Sequence, residues 1–319
     1  MPRRALLIVA LLTSASLSSF ASPAGPAPPL RPFADYEAVG SVVMAAWDAY
    51  GAGDLKRAIA RHLPSDVTLV LYGYSTDPRT RRNVLDDYGQ FVSANRLVYI
   101  AFPKARNMFW SRDAMPVALR DSRGAVVFAD GRYWGGFEPD REMAGLFGAT
   151  LQSHEFRFEG GNFIANHLGD CFTVDSADTR TMTDALFADR YGCRAVTRLP
   201  KRGGIGHIDE RARFTSATTV LTDTVEYASA FSRAGLTVVR LPRPANDRQT
   251  YVNSLLVNGV AFVPQFQRAE DAEALQAYRD LGFQTIGLDA RSLAAKGSGL
   301  IHCLTMTYPG TPMAERARW

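Results

Sequence analysis

Short apolar runs alternate along this chain with stretches whose apolar positions recur every three or four residues. That alternation of strand and helix patterning predicts an α/β protein. Residues 38–47 (AVGSVVMAAW) and 67–73 (VTLVLYG) have strand composition, and a helix near 54–62 joins them. A helix over 80–94 leads into a strand at 97–102, followed by a hairpin turning at 122–124. A helix at 142–152, strands at 162–166 and 171–174, and a helix at 182–191 come next. The pattern then predicts a strand near 217–221, a helix at 225–234 and a strand in LTVVRLP. Asn258-Gly259, inside SLLVNGVAFVPQF, is a strong turn dipeptide and marks a second hairpin. A last helix spans 269–281. Neither a GxGxxG nor a Walker sequence sits at a strand–helix junction, so a nucleotide fold is unsupported.

The first residues have a different character. Arg3 and Arg4 precede an apolar stretch at 5–17, and Ser19-Phe20-Ala21 offers small residues where a signal peptidase cuts. Residues 1–21 therefore read as a secretory signal, too short for a membrane span, and predict an exported protein. Residues 22–32 (SPAGPAPPLRP) read as a Pro/Ala-rich linker, leaving 33–319 as a single domain. No later stretch is apolar for long enough to cross a bilayer. Two of the four net positive charges belong to the leader, and both signs are interspersed, so nucleic acid is not an expected partner. Export also bears on the three cysteines. Cys171 and Cys193 flank a helical segment and could meet across it, which would leave Cys303 as an odd thiol needing a reason.

Four polar clusters interrupt the apolar elements. FWSRDAMPV holds Trp110, Arg112 and Asp113; FRFEGGNFIAN holds Glu159; GGIGHIDERARF holds His207 and Asp209; GSGLIHC holds Cys303. Singly, each has an ordinary structural explanation: an ion pair, a turn cap, a satisfied core histidine, a buried cysteine. His62, His154 and His167 keep that explanation. In extended chain His207 and Asp209 would share a face, whereas His302 and Cys303 would point apart. His207 is on that ground the better partner for the thiol. Apart from the neighbours His302 and Cys303, no His/Cys pair has ligand spacing, so no metal is expected. One thiol, one histidine and three carboxylates suit a guanidinium substrate. It is planar, permanently cationic and matched by carboxylates, which would leave its central carbon open to a thiolate.

Seven stretches, in order, resemble the agmatine deiminase and Porphyromonas-type peptidylarginine deiminase family of the guanidine-modifying superfamily. They are DYEAVGSVVMAAW, FWSRDAMPV, YWGGF, EGGNF, GHIDERARF, YVNSLLVNGVAFVPQF and GSGLIHCLT. The resemblance implies a pentein fold, five ββαβ-type modules about a pseudo-fivefold axis with the active site in the central channel. It implies Cys303 as nucleophile, Asp113 and Asp209 as guanidinium clamps, and His207 as general acid/base beside Glu159. It also places Trp110 against the substrate's guanidinium and stem and Asn253 in the lining of the site. The implied reaction is hydrolysis of a guanidino group to a ureido group and ammonia through a Cys-thiouronium intermediate, and it needs no cofactor. Expected partners are a guanidino small molecule or an arginine-containing peptide, and the sequence carries no signal of oligomeric state. Export favours peptidyl-arginine or an arginine-like substrate. YWGGF (133–137) instead resembles the agmatine type, which would make N-carbamoylputrescine for putrescine biosynthesis. An amidinotransferase and a non-catalytic guanidinium-binding module are the remaining alternatives.

Overall fold

The computed structural model describes residues 29–133, 136–243 and 245–313. The leader, most of the Pro/Ala segment, and Trp134 and Gly135 of YWGGF lie outside the described residues.

The described strands form five small sheets, and one pattern generates all five. An antiparallel strand pair is followed by a helix and then a strand parallel to the second of the pair. Val117–Arg120 and Val126–Arg132 pair antiparallel, the helix Asp140–Phe147 crosses over, and Thr150–Arg157 adds in parallel. Ile164–Ala165 and Asp170–Val174, then the helices Ala177–Thr181 and Asp184–Tyr191, then Ala195–Leu199 repeat it. Ala212–Phe214, Thr219–Thr222, the helix Val225–Arg233 and Thr237–Arg240 form the third unit. Leu255–Val257, Val260–Gln265, the helix Glu270–Asp280 and Gln284–Asp289 form the fourth. The fifth joins the two ends of the chain. Met306–Tyr308 pairs antiparallel with Ser41–Ala45, and the helix Gly53–His62 leads to the parallel strand Thr68–Gly73. A second crossover, the helix Pro78–Gly89, adds Leu97–Ala101.

Local chemistry sets these boundaries. Asp77 accepts a hydrogen bond from the Arg79 amide at the start of Pro78–Gly89, with Pro78 in the first turn where its missing N–H costs nothing. That helix begins and ends earlier than the 80–94 periodicity predicts. Asn258 and Gly259, both at positive φ, make the tight hairpin turn. The helix expected over 142–152 stops at Phe147, because Gly148 takes the left-handed conformation (φ 63°). Residues 150–152 belong instead to the strand Thr150–Arg157. Arg31 and Pro32, assigned above to the linker, pair with Arg120 and Leu119 at a sheet edge. Cys171 and Cys193 are bonded to each other across the helix Asp184–Tyr191, and Cys303 is the free cysteine. Among the described residues no helix is long and apolar enough to cross a membrane.

Candidate active site

In each unit the segment just ahead of the first strand carries a polar cluster. Residues 110–113 precede Val117–Arg120, 159–162 precede Ile164–Ala165, and 207–209 precede Ala212–Phe214. Asn253 precedes Leu255–Val257, and 302–303 precede Met306–Tyr308. Equivalent positions in a ring of like modules face one another, which is how residues nearly two hundred positions apart meet.

Asp113 lies on the one-turn helix Ser111–Ala114, held against the cysteine segment because the Arg112 amide donates to the Cys303 carbonyl (3.1 Å). Its Oδ1 accepts the Gly161 amide at 2.9 Å and stands 3.4 Å from His207 Nδ1. The other ring nitrogen, Nε2, lies 2.8 Å from Glu159 Oε2. Gly161 shows how tightly the segments converge. A Cβ there would lie 2.7 Å from Asp113 Oδ1, 2.8 Å from His207 Nδ1 and 3.2 Å from Asp209 Oδ2. His207 is extended and Asp209 sits in the 3-10 turn Ile208–Glu210, so they share a site without sharing a strand face.

Cys303 is 1% exposed and lies in a turn, not a strand. Its Sγ accepts a hydrogen bond from Asn253 Nδ2 (3.1 Å) and donates to Asp209 Oδ2 (3.5 Å). Asn253 Nδ2 also donates to the Asp209 carbonyl, while its Oδ1 accepts the amides of His302 and Cys303. One amide side chain thus ties three segments together. The expectation that His302 and Cys303 point apart rests on extended geometry, and the turn overturns it. Both reach Asp209 Oδ2, His302 through Nδ1 at 2.6 Å. His302 Nε2 faces Asp35 Oδ2 at 3.1 Å, so both ring nitrogens are engaged away from the sulfur. Trp110, half-buried, stacks on Tyr50 with ring centroids 5.5 Å apart. A Cβ on Gly299 would lie 3.2 Å from Trp110 and 2.9 Å from Cys303 Sγ, so a bare Cα separates indole from thiol.

The electrostatics follow from burial against charge. Burial opposes the His207 imidazolium, but Asp113, Glu159 and Asp209 outweigh it and hold its pKa well above the ordinary 6.5. Burial pushes the Asp113 carboxyl up, partly offset by His207. Burial also acts on Asp209, yet His302, His207 and Arg213 bring its pKa below the usual carboxylate value. The Cys303 thiol is raised well above 9.0 by burial, then by Asp209, Asp113 and Glu210. Glu210, raised to about 7 by burial and Asp209, accepts the Gly206 amide.

Asp113, Glu159 and His207 also bring one ligand atom each within 4.8 Å of one another. Each nitrogen of the His207 ring faces a carboxylate, Nδ1 towards Asp113 and Nε2 towards Glu159. Sequence reasoning placed Arg112 in a polar cluster without a role and did not single out Asp35 or Arg213. Arg213 Nη1 and Arg112 Nη2 bind Asp35 at 2.6 and 3.3 Å. Asp35 begins DYEAVG, a half-buried acid ahead of the strand Ser41–Ala45, and an acid leading into a β-branched strand was the available signal.

Residues 53–309 match the family model for the Porphyromonas-type peptidyl-arginine deiminase. The chain belongs to that family. It is accordingly a deiminase, a hydrolase of C–N bonds in amidines. A Porphyromonas gingivalis protein provisionally assigned as an arginine deiminase superposes with a TM-score of 0.71 at 22% identity, covering 89% of this chain and 99% of that one. Agmatine deiminase of Enterococcus faecalis gives 0.72 at 16% identity, with 90% and 99% covered. A substrate-bound variant of the C. jejuni agmatine deiminase gives 0.72 at 14%, with 88% and 97% covered. The fold of this deiminase is the pentein fold, as the five ββαβ units require.

Proposed function

We propose that this chain is an exported deiminase that hydrolyses the guanidino group of peptidyl-arginine or an arginine-like substrate to a ureido group and ammonia. Cys303 is the nucleophile, His207 the general acid/base held by Glu159, and Asp113 and Asp209 the guanidinium clamps. Trp110 walls the substrate's stem, and Asn253 holds the thiol. The observation that carries this reading is Asp209: fully buried beside the thiol, with a pKa that burial raises but His302, His207 and Arg213 bring below the usual value, it accepts no hydrogen bond at Oδ1 among the described residues. A buried carboxylate with a free oxygen next to a sulfur suits a planar cation with N–H donors.

The charges explain the chemistry. Burial, and then three acids, push the Cys303 thiol well up and keep its proton on sulfur. A guanidinium bound between Asp113 and Asp209 offsets those charges, the thiol ionises as substrate binds, and Asn253 Nδ2–H steadies the anion. The thiolate attacks the guanidinium carbon, an S–C bond forms, and the His207 imidazolium protonates the departing nitrogen as its C–N bond breaks, releasing ammonia. Water, losing a proton to the now neutral His207, adds to the thiouronium carbon. The S–C bond breaks, leaving a ureido product and the thiol.

Two features support an extracellular substrate: the leader at 1–21 and the Cys171–Cys193 disulfide, which belongs to oxidising compartments. Agmatine is the second reading, favoured by the YWGGF stretch and by the fold shared with agmatine deiminases. A panel of agmatine, free arginine, and peptides with internal or C-terminal arginine, read by ammonia release, separates them. Turnover of an arginine peptide or arginine at least about tenfold above agmatine in kcat/KM supports the first reading. Activity on agmatine alone overturns it.

A further inference from the structure

His302 lies beside the candidate nucleophile, touches neither the sulfur nor the open oxygen of Asp209, and has no place in the chemistry above. It is 1% exposed and spans two carboxylates, Asp209 through Nδ1 and Asp35 through Nε2. Asp35 is in turn held by Arg213, Arg112 and the Thr307 hydroxyl (3.2 Å). Arg112 is itself fixed through Nε to the Thr305 carbonyl (3.2 Å). The chain Arg213/Arg112–Asp35–His302–Asp209–Cys303 therefore runs unbroken from a buried cation pair to the thiol.

Among the described residues, the bond to His302 is the only hydrogen bond at 3.0 Å or shorter that the Asp209 side chain accepts, the thiol being a weak and distant donor. A fully buried carboxylate deprived of it would take up a proton rather than stay charged. A lone His302 ring could also turn. The second contact, from Nε2–H to an Asp35 anchored by two arginines, prevents that when the ring carries both protons. Burial, Arg112 and Arg213 oppose that state, and the two flanking carboxylates favour it.

We propose that His302 is a positioning residue: braced by Asp35, it holds Asp209 in its ionised form and fixes the orientation that leaves Oδ1 for the substrate cation and Oδ2 against the Cys303 thiol. The inference rests on the proposed function only for what Oδ1 receives. The coupling of His302 to Cys303 through Asp209 stands on geometry alone.

The groups that face Asp209 are His302, Cys303, His207, Asp113, Glu210 and Arg213; those that face His302 are Asp35, Asp209, Arg112 and Arg213. With His302 removed, Asp209 keeps a proton to higher pH, and the neighbouring thiol loses a negative charge that suppresses its ionisation.

The test is a double-mutant cycle on the full chain, read by the rate of Cys303 alkylation with iodoacetamide between about pH 6 and 9, a range that spans the ordinary histidine and cysteine values. His302→Leu is expected to speed alkylation near neutral pH about tenfold, and Asp209→Asn to do the same. In the Asp209→Asn background, His302→Leu should add nothing. His302→Asn, whose amide can donate in place of Nδ1–H, should restore most of the wild-type profile. Equal acceleration by His302→Leu in both backgrounds, or no change of profile in either, overturns the proposal. A merely structural role loosens the site whether or not Asp209 is ionised, and so gives the additive result. Thermal unfolding of each variant comes first; if His302→Leu does not fold, Asp35→Asn replaces it in the cycle, with a smaller shift of the same sign. No deiminase turnover is needed for this readout, so the proposed function can fail while the coupling is upheld, and the reverse.

Discussion

Cys303 carries its proton when the site is empty because burial and three nearby acids oppose a second anion. Iodoacetamide should therefore alkylate the free enzyme slowly at pH 7 and progressively faster above pH 9, and fast alkylation at pH 7 would contradict this ordering of charges. Asn253 makes a separate prediction. It serves the sulfur, the Asp209 carbonyl and two backbone amides, so Asn253→Ala leaves several buried polar groups unpaired at about 1–3 kcal/mol each. Steady-state kinetics should show kcat lowered by about 10²-fold or more, whereas a change confined to KM would make Asn253 a substrate contact instead. For His207 the sign is fixed by its raised pKa. Its ion pairs with Asp113 and Glu159 contribute stability that is complete below the ordinary 6.5 and disappears as pH climbs through the higher folded value. Denaturant unfolding should thus weaken toward alkaline pH, and His207→Gln should flatten that part of the profile.

At the level of elements, the proposed active groups come from the segments that precede the first strand of each unit, not from the sheets. Gly161 and Gly299 let those segments touch. Gly161→Ala would drive a methyl between Asp113 and His207. Expected is a loss of about 1–3 kcal/mol in transition-state stabilisation, roughly ten- to a hundredfold in kcat/KM, with the fold retained. Wild-type kcat/KM in that variant would mean the segments sit farther apart. The same organisation explains what the sequence could and could not disclose. Strands with β-branched runs, such as Thr68–Gly73, and the Asn258-Gly259 turn were legible because their signals are local. Edge strands such as Ala195–Leu199 and Gln284–Asp289 were not, since half-exposed sequences with Arg198 or Gly287 inside them lack a strand signature. The helix Arg291–Lys296, beyond the expected last one, is a short piece whose buried residues are Leu293 and Ala294. His207, Asp209 and Cys303 are proposed for the chemistry on residue type and family resemblance, and the structure brings them together. Their true local geometry, two turns where extended chain was assumed, depended on neighbours far away in sequence. Asp35 and Arg213 were invisible as a pair for the same reason.

The whole molecule is a closed ring: Met306–Tyr308 pairs with Ser41–Ala45, so the segment bearing Cys303 is secured by the first residues of the domain. A disulfide reinforces the unit that runs from Ile164–Ala165 to Ala195–Leu199. Replacing Cys171 and Cys193 together by serine opens a link between residues 22 apart and should cost about 2–4 kcal/mol in unfolding free energy. Turnover per folded molecule should be unchanged, and a loss of activity beyond the unfolded fraction would tie the disulfide to the site. The account as a whole stands on a covalent bond between the Cys303 sulfur and a guanidinium carbon. The most direct measurement is intact-protein mass spectrometry after rapid acid quench of the enzyme turning over an arginine peptide or agmatine. The predicted result is an adduct with the mass of substrate less ammonia, mapped by peptide digestion to Cys303 and absent from Cys303→Ala. Ammonia release that persists in Cys303→Ala, with no adduct in the wild type, would contradict it.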